Sequence, residues 1–87
     1  MLNINKKATA GTLESSDVLV TVKPNEEGIK IDLESDVQVQ YGDEIIAVVE
    51  NTIEELNIEN AYIKVNDKGA LDYAIKARLE TALKRAL

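Results

Sequence analysis

Ile29-Lys30-Ile31-Asp32-Leu33-Glu34 alternates apolar and charged side chains at every step. In an extended chain Ile29, Ile31 and Leu33 therefore share one face and the charges share the other. Such a strand needs one buried side and one wet side. Just upstream, Val18-Leu19-Val20-Thr21-Val22 is a β-branched run that reads as a second strand. Lys23-Pro24-Asn25-Glu26-Glu27-Gly28, between the two, carries turn chemistry, because proline fixes φ and glycine permits positive φ. The two strands together read as a β-hairpin.

Downstream the period changes. Ser35 followed three residues later by Gln38 matches a capping box, and Val37, Tyr41, Ile45, Val48, Val49, Thr52, Ile53 and Leu56 recur at helical spacing. This predicts a helix over 36–56, interrupted only by Gly42. Asn57 suits a left-handed stop. Ala61-Tyr62-Ile63-Lys64-Val65 then alternates again as a strand with Ala61, Ile63 and Val65 inward, and Asn66-Asp67-Lys68-Gly69 turns the chain. Leu71, Ile75, Leu79, Leu83 and Leu87 stand four apart beside Ala74, Ala82 and Ala86, a narrow apolar stripe on a last helix. Asp72 with Lys76 and Glu80 with Lys84 are favourable i,i+4 pairs on that helix.

The order β-β-α-β-α predicts an α+β fold: a small two-layer sandwich with both helices on one face of a three- to four-stranded sheet. Repeats and low-complexity linkers are missing, so residues 1–87 read as a single domain. Leu2 and Ile4 could lend an edge strand, and a loose start over 1–10 is an equal alternative.

The composition removes most chemistry. The 87 residues include no Cys, His, Trp or Phe, which leaves no disulfide, no thiolate, no imidazole base and no zinc site of the usual kind. A domain this short buries only about 60% of the surface of its unfolded chain. With Tyr41, Tyr62 and Tyr73 as its only aromatic residues, its core must be aliphatic. A net charge of −6 argues against nucleic acid and anionic membranes as partners. No apolar run approaches a membrane span or the core of a signal peptide, which makes a cytoplasmic location the expectation. The charge is also uneven: residues 14–59 hold thirteen acids against two lysines, and residues 60–87 hold three acids against six bases. An unmodified acidic interaction module is one reading of that asymmetry.

Two polar segments fall outside the periodic elements: Ala10-Gly11-Thr12-Leu13-Glu14-Ser15-Ser16-Asp17 and Asp67-Lys68-Gly69-Ala70-Leu71-Asp72. By composition the first is a turn, and the second is a connection in which Asp67 or Asp72 favours a helix start. Taken as words, and joined by Ala77-Arg78-Leu79-Glu80, they resemble the acyl carrier protein, or gamma subunit, of bacterial citrate lyase. The resemblance covers nearly the whole chain. The family often has a Cys after Ala-Leu-Asp, where Tyr73 stands here.

The resemblance implies a non-catalytic carrier. It places a covalent 2'-(5''-phosphoribosyl)-3'-dephospho-CoA group on Ser15 through a phosphodiester, Ser16 being the less suitable neighbour. The group's thiol would carry acetyl and citryl units on a flexible loop, while the citrate lyase alpha and beta subunits exchange and cleave them to acetate and oxaloacetate. A serine with nothing basic beside it in sequence needs a separate prosthetic-group transferase. Glu14 and Asp17, which flank the site, are candidates for recognition by that transferase or for a contact through Mg²⁺. Citramalate lyase or malonate decarboxylase would use the same kind of carrier.

Overall fold

Ile58–Asp67 is the longest strand of the molecule, and the sheet is organised around it. The structure is a computed structural model describing residues 2–87, with backbone only for Leu2, Gln38 and Val39. Its elements follow in the order β1 (Leu2–Asn3), β2 (Ala8–Gly11), β3 (Val18–Lys23), β4 (Ile29–Ser35), α1 (Gln38–Glu55), β5 (Ile58–Asp67) and α2 (Asp72–Ala86). β3 lies antiparallel along one side of β5, and β4 lies parallel along the other. β2 pairs antiparallel with the outer side of β3, and β1 lies parallel to the first residues of β5. The fold is the expected α+β sandwich.

The hairpin expected from β3 and β4 does not form: β5 is inserted between them. The connector explains how. Straddling a strand requires crossing two interstrand spacings, about 10 Å, and the five residues Pro24–Gly28 have reach to spare at about 3.3 Å each. The crossing is fastened at the start of β5, where Gly28 N–H donates to Asn60 Oδ1 at 2.6 Å and Ala61 N–H donates to Gly28 O at 3.1 Å. β4, α1 and β5 then form a β-α-β unit, in which a helical crossover makes the strand pair parallel. Turn chemistry reported that the chain turns at 24–28, but the returning strand pairs with a segment thirty residues later.

Periodicity assigned the faces well. Register puts Ala10, Val20, Val65 and Leu33 in one row and Ala8, Val22, Ile63 and Ile31 in the next, all on the side covered by helices. Val18, Val20, Val22, Ala61, Ile63 and Val65 are fully buried. Because β4 is an edge strand, Ile31 and Leu33 are half-buried and Ile29 is exposed. α2 covers β2 and β3, α1 covers β4, and the two helices pack on each other. Residues 2–10, within the stretch for which a loose start was an alternative, supply β1, most of β2 and the buried Ile4 and Ala10.

The helices show smaller departures. Val37 is the N-cap of α1 and makes no side-chain cap, so Ser35 does not play the capping-box role. Its hydroxyl instead accepts from Val37 N–H at 3.1 Å and donates to Asp67 Oδ2 at 2.9 Å; the side chain of Gln38 lies outside the described residues. Asn57 does stop the helix at φ +55°. On α2 the stripe buries Ile75, Leu79, Ala82, Leu83 and Ala86, but Leu71 and Leu87 at its ends are exposed. Among the described residues neither expected i,i+4 ion pair forms, and Lys76 reaches Glu55 of α1 at 3.1 Å.

Candidate functional site

The sheet register decides which connections share an end of the molecule. Val18 begins β3 opposite Asp67, which ends β5, and Asp67 stands opposite Ser35, which ends β4. The loop 12–17 and the starts of α1 and α2 therefore converge at one end. At their meeting point lies Asp67, fully buried, whose carboxylate accepts from Ser35 Oγ at 2.9 Å and from Ala70 N–H at 2.9 Å. A buried carboxylate with two donors is a tie between segments, holding the exits of β4 and β5 together.

The loop 12–17 joins β2 to β3. Gly11 precedes it at φ +97°, and a Cβ there would run into the Val18 carbonyl oxygen, so only glycine fits. Ser16 also takes a positive φ, 67°. Asp17 holds the loop shut: its carboxylate accepts from Thr12 Oγ1 at 2.7 Å and from Val18 N–H at 2.7 Å. Arg78 of α2 adds a two-pronged contact, Nε to Oδ1 at 3.3 Å and Nη2 to Oδ2 at 3.1 Å. The Thr12 hydroxyl foremost, then the Val18 amide and Arg78, lower the Asp17 carboxyl from its ordinary 3.8 to about 2.

A second tie runs to the other motif. Ser16 N–H donates to Lys68 O at 2.8 Å, and Lys68 N–H donates to Asp17 O at 2.9 Å. The two polar segments, fifty residues apart in sequence, thus lie side by side like a short strand pair. Ser15 is left exposed near the apex, and its hydroxyl makes no hydrogen bond among the described residues. Glu14 is exposed as well. The ties of the loop are made by the residues around Ser15, so its hydroxyl is left free of them. The loop itself is pinned, contrary to the flexible loop that the resemblance implied.

Sequence reading singled out Ser15, Glu14 and Asp17, and the structure brings them together on this loop. It also adds residues that local reading passed over. Arg78 sits in the Ala-Arg-Leu-Glu word, but its pairing with Asp17 is a tertiary contact, and no local pattern encodes it. Beside Gly69, which directly follows Lys68, an open groove of about 730 Å³ runs between the starts of α1 and α2, lined by Tyr41, Ile45, Ala70, Leu71 and Tyr73. Leu13, Tyr41, Leu71 and Tyr73 are four of the six large apolar or aromatic side chains exposed on the described surface, and all four belong to this end.

The loop thus holds Ser15 exposed and unengaged, in a chain that has no imidazole or thiol of its own. The family model described as "ACP: Malonate decarboxylase delta subunit (MdcD)" matches residues 5–86. The chain belongs to this family of acyl carrier proteins and is a non-catalytic carrier subunit by that membership. It is 54% identical over 85 residues, 98% of this chain and 90% of the relative, to a citrate lyase acyl carrier protein of Halothermothrix orenii. It is 56% identical over 78 residues, 88% of this chain and 83% of the relative, to one of Fusobacterium nucleatum. In fold it is similar to a chain of a Pseudomonas malonate decarboxylase hetero-tetramer, with a TM-score of 0.82, 19% identity, and coverage of 99% of this chain and 93% of that one.

Proposed function

We propose that this chain is the acyl carrier subunit of a citrate lyase complex, with the phosphoribosyl-dephospho-CoA group joined to Ser15 Oγ. The observation that carries this reading is the meeting of the two family words in space, Asp17 with Arg78 and Ser16 with Lys68, around an exposed Ser15. When bound, the group supplies the thiol that this chain lacks and holds acetyl and citryl units as thioesters. The chain's own part is presentation. Asp17 and Arg78 fix the loop, Gly11 and Ser16 supply the backbone conformations it needs, and Ser15 stays accessible to a transferase and afterwards to the acyl-handling subunits.

Arg78 does not activate the serine: it is spent on Asp17, and a guanidinium does not give up its proton, so it accepts none from Ser15 Oγ. The base is assigned to the transferase. Glu14, exposed beside Ser15, is the residue assigned to recognition by that enzyme; Asp17 acts through the loop it closes. Because the loop is braced, reach must come from the arm, which turns transfers between alpha and beta active sites into local events at high effective concentration. The acidic stretch 14–59 would dock on those subunits, in the cytoplasm.

Identity near 50% to citrate lyase carriers favours citrate over malonate, although a malonate decarboxylase assembly is the second reading that the family description and the similar fold support. Intact mass after co-expression with the maturation enzymes tests the attachment. A cofactor-sized increment is expected in the parent and should vanish in Ser15→Ala, whose melting stays unchanged; an increment that survives in the variant would sink the assignment. Reconstitution with lyase or decarboxylase subunits, scored by which acid is consumed, separates the two complexes.

A further inference from the structure

We infer that the groove between the starts of α1 and α2 is an intramolecular seat for the pantetheine part of the arm carried on Ser15. The inference rests on the Ser15 attachment reading and goes beyond it. Three observations carry it.

The first is proximity. Through the Ser16 N–H to Lys68 O bond, the Cα atoms of Ser15 and Gly69 are confined to within about 8 Å of each other by backbone geometry. Gly69 is a wall residue of the groove. A chain tethered at Ser15 therefore starts beside the groove's mouth, and its second contact has the low entropic cost of an intramolecular event.

The second is surface character. Tyr41, Leu71 and Tyr73 are 51%, 64% and 73% exposed although they are large and apolar or aromatic, while the opposite end shows only Ile29 and Leu87 of that kind among the described residues. Leu71 continues the apolar stripe of α2 and would gain burial if covered; the fold leaves it uncovered beside the tether. Apolar side chains left open next to a site mark something that covers them.

The third is chemical match. A pantetheine segment is a thin chain with methyl groups and two amides, whose N–H groups need acceptors when they leave water. Tyr41, Leu71 and Tyr73 offer apolar contact, and the exposed carboxylates of Glu44 and Asp72, also on the groove, offer acceptors. The phosphodiester end stays outside near Ser15, away from those acids. Seating is reversible, and the arm leaves when a partner's active site offers a better one.

The test uses the loaded protein, its loading verified by intact mass, and a neutral disulfide reagent, because an anionic one would be slowed by the chain's net charge alone. If the arm occupies the groove about four-fifths of the time or more, its thiol reacts about fivefold or more slowly than that of free pantetheine. The exposed-residue variant Leu71→Ser/Tyr73→Ser should restore the free rate with an unchanged melting curve. Independently, ring protons of Tyr41 and Tyr73 in the parent should show through-space contacts to the arm's methyl groups. A loaded protein whose thiol reacts as fast as free pantetheine, or whose slow rate is untouched by the double substitution, overturns the groove and leaves Ser15 standing. Absence of any mass increment overturns both.

Discussion

The loops Thr12–Asp17 and Pro24–Gly28 both connect consecutive strands, and they do opposite things. The first lacks the proline and glycine punctuation of a turn within its span, yet it joins two strands that pair with each other. The second carries Pro24 and Gly28, yet its flanking strands are separated by β5. They are also held differently. Asp17, a carboxylate, ties the first loop to Thr12, Val18 and Arg78; the amides of Asn25 and Asn60 tie the second. A loop with a charged keystone leaves Ser15 exposed, and one tied by neutral amides merely carries the chain across a strand. What a loop connects is set by where its strands find partners.

The largest expected difference lies in their glycines. Gly11 and Gly28 both have positive φ, 97° and 78°. A side chain at Gly11 strikes the Val18 carbonyl oxygen, whereas nothing lies within 4 Å of a Cβ at Gly28. Gly11→Val must therefore displace β3 or the loop as well as bear the φ strain, a loss of about 3 kcal/mol or more. Gly28→Ala bears only the strain, about 1 kcal/mol. Urea midpoints of the two variants measure this, and equal shifts would show that the close approach at Gly11 is not what the loop depends on.

How far these loops were legible follows from the same contrast. Alternation in 29–33 and 61–65 assigned the buried face of each strand, because a half-buried strand must alternate, whereas 18–22 read only as a β-branched run. Pairing was not legible, because β3 and β4 have equally good apolar faces whichever neighbour they take. β2 escaped notice since Ala8-Thr9-Ala10-Gly11 has small side chains and almost no periodic signal. At the candidate site, the proposal of Ser15 rests on the family words, not on any local periodicity. Asp17 read as a recognition or Mg²⁺ candidate and not as the tie that closes the loop, since its partner Arg78 lies sixty-one residues away. Leu71 fell on the right helical stripe but, as the N-cap of α2, is left exposed, which no periodicity reveals.

Removing the keystone contact comes next in size. The Asp17 and Arg78 side chains are 19% and 44% exposed, so the ion pair is screened on one side. Arg78→Ala should cost only about 0.5–1 kcal/mol globally. Its local effect should be larger: the Ser16 amide, bonded to Lys68 O, should exchange its hydrogen faster, and Ser15 should be modified more slowly by the transferase. Asn60→Ala, which removes the acceptor of Gly28 N–H in the second loop, should cost about 1 kcal/mol and leave Ser15 modification at the parental rate. If Asn60→Ala slowed modification as much as Arg78→Ala did, the division between a presenting loop and a connecting loop would fail.

Acid separates the loops most finely. Asp17 titrates at about 2 in the folded chain against an ordinary 3.8, so folding favours its ionised form. That contribution is complete above about pH 4, wanes as pH falls below the unfolded value, and is gone once pH has dropped through about 2. Protonation turns an acceptor of bonds from Thr12, Val18 and Arg78 into a neutral acid and removes the charge that Arg78 faces. The amide resonances of Val18 and Ser16 should therefore move together with a midpoint near 2. The side-chain amides of Asn25 and Asn60 have no proton to take up in this range, so the Gly28 and Ala61 amides, fastened by the second loop, should lack that transition. In Asp17→Asn the transition near 2 should vanish from the Val18 amide too. Its persistence there would mean that the acid response comes from some other carboxylate, and that Asp17 is not the group on which the presenting loop closes.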